Sequence, residues 1–155
     1  MRLALPPAWK DLSKPGLLGL VDGLNGMVGL VIGLSRAGEA AAVIFVALMS
    51  RAGSSAVSMA GAQYQAGDPG VPGRVRWGRI TSMGCGYLTS ALVPGLGFSV
   101  SARLGWLVFI PATAAILAAI TWFRSAADGW VRAAVTTVVI FVLAVAAGLA
   151  ASLAG

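Results

Sequence analysis

Of 155 residues, 58% are hydrophobic and 10% charged, with eleven basic residues, five acidic ones and no histidine. A soluble domain averages about 45–50% apolar and about 25% charged residues, so this chain has too little charge to cover a water-facing surface. The net charge of +6 raises nucleic acid as a partner, but the basic residues stand at the joints between apolar runs and form no stripe, which argues for membrane orientation instead.

The expected fold is all-α, a single transmembrane domain of five helices. Residues 1–15 contain Pro6 and Pro7 and no clear cleavage site, so they read as a cytoplasmic or interfacial segment carrying Trp9 and not as a signal peptide. Apolar runs follow at about 16–35, 40–64, 80–100, 104–123 and 131–153. Each is near the 20 residues a helix needs to cross about 30 Å of hydrocarbon. A short polar linker, 65–79, separates the second run from the third, and Asp68 in it reads as solvated, as does Asp128 in the joint 124–132. With the N-terminus inside, the cytoplasmic segments hold Arg2, Lys10, Lys14, Arg74, Arg76, Arg79, Arg124 and Arg132, and the outer ones only Arg36 and Arg103. That bias predicts N-in and C-out. Trp77, Trp122 and Trp130 then fall at inner helix ends and Trp106 at an outer one.

An odd number of spans cannot complete an inverted repeat within one chain, so a pathway would need two copies about a two-fold axis. Two ionisable residues lie inside apolar runs, Asp22 and Arg51. Such residues are costly in a bilayer and mark functional sites by default. Gly19, Gly26, Gly29 and Gly33 stand at i−3, i+4, i+7 and i+11 from Asp22, a spacing that lets another helix approach and places Asp22 in a seam. Counting depth from the cytoplasmic ends of the first two helices brings Asp22 and Asn25 level with Ser58 and Met59. One hard carboxylate, amide and hydroxyl oxygens and one thioether suit a borderline divalent cation better than Mg²⁺ or Ca²⁺. Taken alone, Met59 is a common core filler.

The stretch GLVDGLNGMVGLVIGLSRAG (19–38) resembles the first helix of the vacuolar iron transporter family, with its Asp-Gly followed by small and apolar residues. AVSMAGAQY (56–64) resembles that family's second-helix signature, and ALVPG (91–95) its small-apolar-Pro kink. The resemblance implies a homodimeric antiporter that exports Fe²⁺ or Mn²⁺ from the cytoplasm in exchange for protons, through a pathway at the dimer interface. It implies Asp22 and Met59 as metal ligands, with Asn25, Ser58 and Gln63 lining the pathway and no permanently bound cofactor.

Three features depart from the family pattern. Segment 65–79 has one acid and no acidic helical insertion; Gln63 stands where the signature has Glu; and Arg51 puts a fixed cation, always protonated, on the second helix. Arg51 is therefore a counter-charge to Asp22, or a partner of Glu39 or of helix-end carbonyls. The alternative function is a non-transporting membrane subunit that keeps the fold. A third is transport of another cation or small solute. Nothing in the chain resembles a nucleotide loop, a Ser/His/Asp set or a zinc motif, so no enzyme is expected. The alanine-rich, arginine-over-lysine composition points to a bacterial plasma membrane.

Overall fold

A segment that enters hydrocarbon must satisfy its backbone polar groups internally, and the α-helix does this within one segment. The computed structural model describes residues 7–66 and 70–154 and is all-helical in them. The elements are α1 (Pro7–Arg36), α2 (Ala41–Gln65), α3 (Gly73–Gly95), a 3₁₀ turn (Leu96–Ser99), α4 (Ala102–Asp128) and α5 (Trp130–Ala154). Four of the five helices are long and apolar enough to cross a membrane: α1 over Lys14–Arg36, α2, α4 over Ala102–Ser125 and α5 over Trp130–Ala150. The chain is thus a multi-pass membrane protein. Asp68, and the side chains of Trp9 and Asp128, lie outside the described residues.

Helices outrun the apolar stretches because a helix has no reason to stop where hydrocarbon does. α1 starts at Pro7, where the missing N–H is no loss in a first turn. α3 starts at Gly73, so Arg74, Arg76 and Arg79, expected in a linker, occupy its first two turns. The α1–α2 and α4–α5 turns are closed by Gly38 and Gly129 at φ of 77° and 80°, a backbone that residues with a Cβ rarely adopt. Only Gly129 separates α4 from α5. Ser101 caps α4, its Oγ accepting from the Leu104 N–H at 3.1 Å.

α3 is the exception among the apolar helices, and one side of it is buried against α1 and α2 while Thr81, Cys85, Thr89 and Val93 stay exposed. Its Ile80, Met83, Tyr87, Ser90, Ala91, Pro94 and Gly95 are buried. A helix that faces protein more than lipid is free to carry Gly, Ser and Thr, which allow close packing. Gly16 abuts Ser82, Gly19 abuts Met83 and Tyr87, and Gly23 abuts Tyr87 and Ser90. The numbers rise together, so α1 and α3 run parallel. Against α2 the order reverses: Gly95 lies by Leu48 and Met49, and Gly84 faces Ala56. α5 runs parallel to α1, with Thr137 and Ile140 beside Val21 and Asn25 at one level and Gly148 against Gly29 higher up.

The core runs between these helices through Leu24, Met27, Val28, Val31, Ile44, Leu48, Tyr87 and Phe98. Phe98, on the 3₁₀ turn, packs edge-on to Trp106 and Phe109 with ring centroids 6.0 and 6.2 Å away. Gly105 makes room for that ring. At the opposite end of the bundle Trp77, Trp122 and Trp130 are exposed, the placement of an interfacial aromatic belt. The outer face of α5 is a row of exposed Val135, Val138, Val139, Val142 and Leu143, a surface for lipid tails.

Candidate functional site

Glycine spacing on α1 produces two stripes with different neighbours. Gly16, Gly19 and Gly23 recur at i, i+3 and i+7 and are pressed onto α3, where a Cβ at Gly19 would collide with the Met83 carbonyl and one at Gly23 with Ser90 Oγ. Gly26, Gly29 and Gly33 recur at the same spacing, rotated away from α3. They form the floor of an open groove of about 580 Å³. Leu30, Leu34 and Ala37 of α1, Arg51 of α2, and Ala144, Ala147 and Gly148 of α5 line it as well, with Asn25 at its lower end.

This divides the single glycine face expected from the sequence. Gly19 belongs to the α3 seam, because i−3 on a helix is 60° away from the reference residue. Asp22 stays in register with Gly26, Gly29 and Gly33 and lies just below the groove. The expectation that a helix–helix seam encloses Asp22 is not met within one chain: Asp22 is exposed.

Arg51 reaches the groove from the other wall. A Cβ built on Gly26 would lie 2.8 Å from Arg51 Nη2 and 3.1 Å from Nε, so the guanidinium rests directly on the α1 backbone. Asp22 is one helical turn below, about 5.4 Å along the axis. Among the described residues the two form no ion pair, and none joins Arg51 to Glu39. Arg51 is exposed like Asp22. Two charges without an ion-pair partner among the described residues would each cost about 2.5–3.5 kcal/mol in a bilayer on insertion scales.

The remaining sequence-predicted residues are more scattered. Asn25 is half-buried and borders both the groove and a small pocket of about 10 Å³ beside Leu117, Ile120, Arg124 and Thr137. Thr137 Oγ1 is buried with no hydrogen-bond partner. Ser58 is exposed, Met59 is half-buried against the core, and Gln63 is half-buried near the end of α2. No hydrogen bond links Asp22 to Asn25, Ser58 or Gln63 among the described residues. At this level α3 stands between the two helices, with Gly19 and Gly23 on one side of it and Ala56 on the other. α1 and α2 approach each other higher up, at Gly26 and Arg51.

As donors, one carboxylate, neutral oxygens and a thioether are present, and no group of three or more His, Cys, Asp or Glu residues gathers among the described residues. A single chain thus presents one formal negative charge at the site. A second copy would double it.

At the end of the bundle that holds Trp77, Arg76 donates from Nη2 to the Tyr64 carbonyl at 2.7 Å and lies 4.0 Å over its ring. This clamp joins the end of α2, beside Gln63, to the start of α3. The groove wall on α5 was legible only as small residues at 144, 147 and 148, at i, i+3 and i+4; nothing in the sequence said that they face Gly29. No protein-family model, curated protein or solved structure matches this chain.

Proposed function

We propose that the chain is a divalent-cation transporter, acting as a homodimer and exporting Fe²⁺ or Mn²⁺ from the cytoplasm in exchange for protons. The observation that carries this reading is the line from Asp22 into the glycine-floored groove: an exposed carboxylate at the inner end of an open, small-residue channel wall. A second copy set against this wall would turn the half-channel into an enclosed path with two carboxylates. Asp22 is the cation ligand and the proton carrier in this scheme. Asn25, at the lower end of the groove, supplies an amide oxygen beside it, while Ser58, Met59 and Gln63, which α3 holds apart from Asp22 of the same chain, would join the path only on the α2 side.

The parallel course of α1, α3 and α5 supports five crossings, with Ser82 and Ser90 of α3 turned toward α1. N-in, C-out and a bacterial plasma membrane belong to the same proposal, on the arginine and lysine bias of the joints.

A second reading is favoured by one specific observation, the Arg51 guanidinium inside the groove. A fixed cation there opposes passage of another, and a membrane subunit that retains the fold without transport would have no need to avoid it. Metal uptake into proteoliposomes separates the readings. Wild-type protein should carry Fe²⁺ or Mn²⁺, Asp22→Ala should abolish the flux, and Met59→Ala should reduce it. A folded, dimeric wild type without flux would decide for the subunit.

A further inference from the structure

Inside the apolar spans the open face of α1 and α2 carries one acid, Asp22, and one base, Arg51, both exposed, without an ion-pair partner among the described residues, and of opposite sign. They differ in height by about one helical turn, roughly 5.4 Å, within the reach of an arginine side chain. A two-fold axis along the membrane normal preserves height and brings the same surface patch of each copy face to face. Under that operation the acid of one copy meets the base of the other, twice. The glycine floor at Gly26, Gly29 and Gly33 allows close approach of the facing helix, and a Cβ at Gly33 would meet nothing within 4 Å.

We propose that this face closes on a second copy of the chain, with Asp22 of each copy paired to the partner's Arg51. The pairing rests on the dimeric reading above and adds what holds the dimer in register. Gly26 contributes by letting the guanidinium lie low against α1, where an alanine would lift it. The pair also gives Asp22 a counter-charge that an arriving divalent cation has to displace, which makes Arg51 a competitor of the cargo and not an obstacle beside it.

The test is assortment of charge-reversed chains. D22R and R51D, carrying different affinity tags, are co-expressed and their association is counted in lipid nanodiscs, with each variant expressed alone as the reference. Each variant alone faces like against like and should dimerise about 30-fold more weakly than wild type, the scale of losing a desolvated charge pair. Together they should assort almost entirely as mixed dimers, since D22R then meets R51D at both contacts. This preference separates pairing between chains from pairing within one, which would leave both variants damaged in any mixture.

Random assortment of the two tags, with wild-type dimers intact, would overturn the pairing and leave the transporter reading standing. A monomeric wild type would overturn both. If the reversed chains fail to insert, the milder D22N and R51Q serve: each should weaken the dimer, and D22N/R51Q should be no weaker than either alone. Additive losses would overturn the pairing.

Discussion

The two glycine stripes of α1 use the same residue at the same spacing for opposite ends. Along Gly16, Gly19 and Gly23 the missing side chains have been filled by the backbone of α3, and Gly86 returns the favour by abutting Gly16. Along Gly26, Gly29 and Gly33 only Gly29 meets a helix, at Gly148, and the rest borders open space or the tip of Arg51. A glycine in a membrane helix marks a place where something comes close. Whether that something belongs to the same chain is decided by the neighbours, and here the lower stripe is filled within the chain while the upper one, Gly29 apart, is left open.

Adding one methyl group at successive glycines gives a graded way to break this contrast. Gly19→Ala should have the largest effect, about 3 kcal/mol or more of destabilisation, because the obstacle is the Met83 carbonyl and α3 must move as a unit. Its signature is a large fall in the unfolding midpoint in mixed micelles. Gly148→Ala, whose Cβ would lie 2.7 Å from Gly29 Cα, should cost about 1–3 kcal/mol by the same measurement, splaying α5 from α1 at one crossing.

The sign should change on the open stripe. Gly33→Ala meets nothing within its own chain, so removing the helix penalty of glycine should raise the stability of the monomer by about 0.5 kcal/mol or leave it unchanged. The smallest stability effect is expected for Gly26→Ala, since the neighbour is the flexible end of Arg51 and swings aside. Its consequence should appear in dimerisation instead, through the displaced guanidinium. Equal losses at Gly19 and Gly33 would dissolve the distinction between the stripes.

A second contrast sits at the bundle ends. In the Phe98, Trp106 and Phe109 cluster the two phenylalanines are buried and Gly105 abuts the Phe98 ring, whereas the Tyr64, Arg76 and Trp77 contact is a surface clamp, with the rings 6.0 Å apart. Arg76→Ala should therefore cost no more than about 1 kcal/mol.

Much of the architecture could be read from the chain. Five apolar runs became five helices, because that follows from a local rule, length against bilayer thickness, whereas the turns at Gly38 and Gly129 were seen only in the structure. α3 was harder. Its run holds Ser82, Gly84, Gly86 and Ser90, which lowers hydropathy, and only the packing of these four against α1 and α2 explains why they are small and polar. Asp22 and Arg51 stood out at once as charges in apolar runs. The separation of Asp22 from Ser58 and Met59 by α3 did not, since counting depth along two helices assumes that they are neighbours.

What the sequence by itself determined is therefore the helices, their number and their membrane setting, all set by composition and by interactions within about one turn. Which side of α1 each glycine serves, that a groove lies between α2 and α5, and that Arg51 rests on Gly26 were decided only by tertiary packing. The reason is geometric. Helix periodicity places residues on faces, but lipid and a neighbouring helix look alike to an apolar or small side chain, so only the assembled bundle says which face is covered and which is left open.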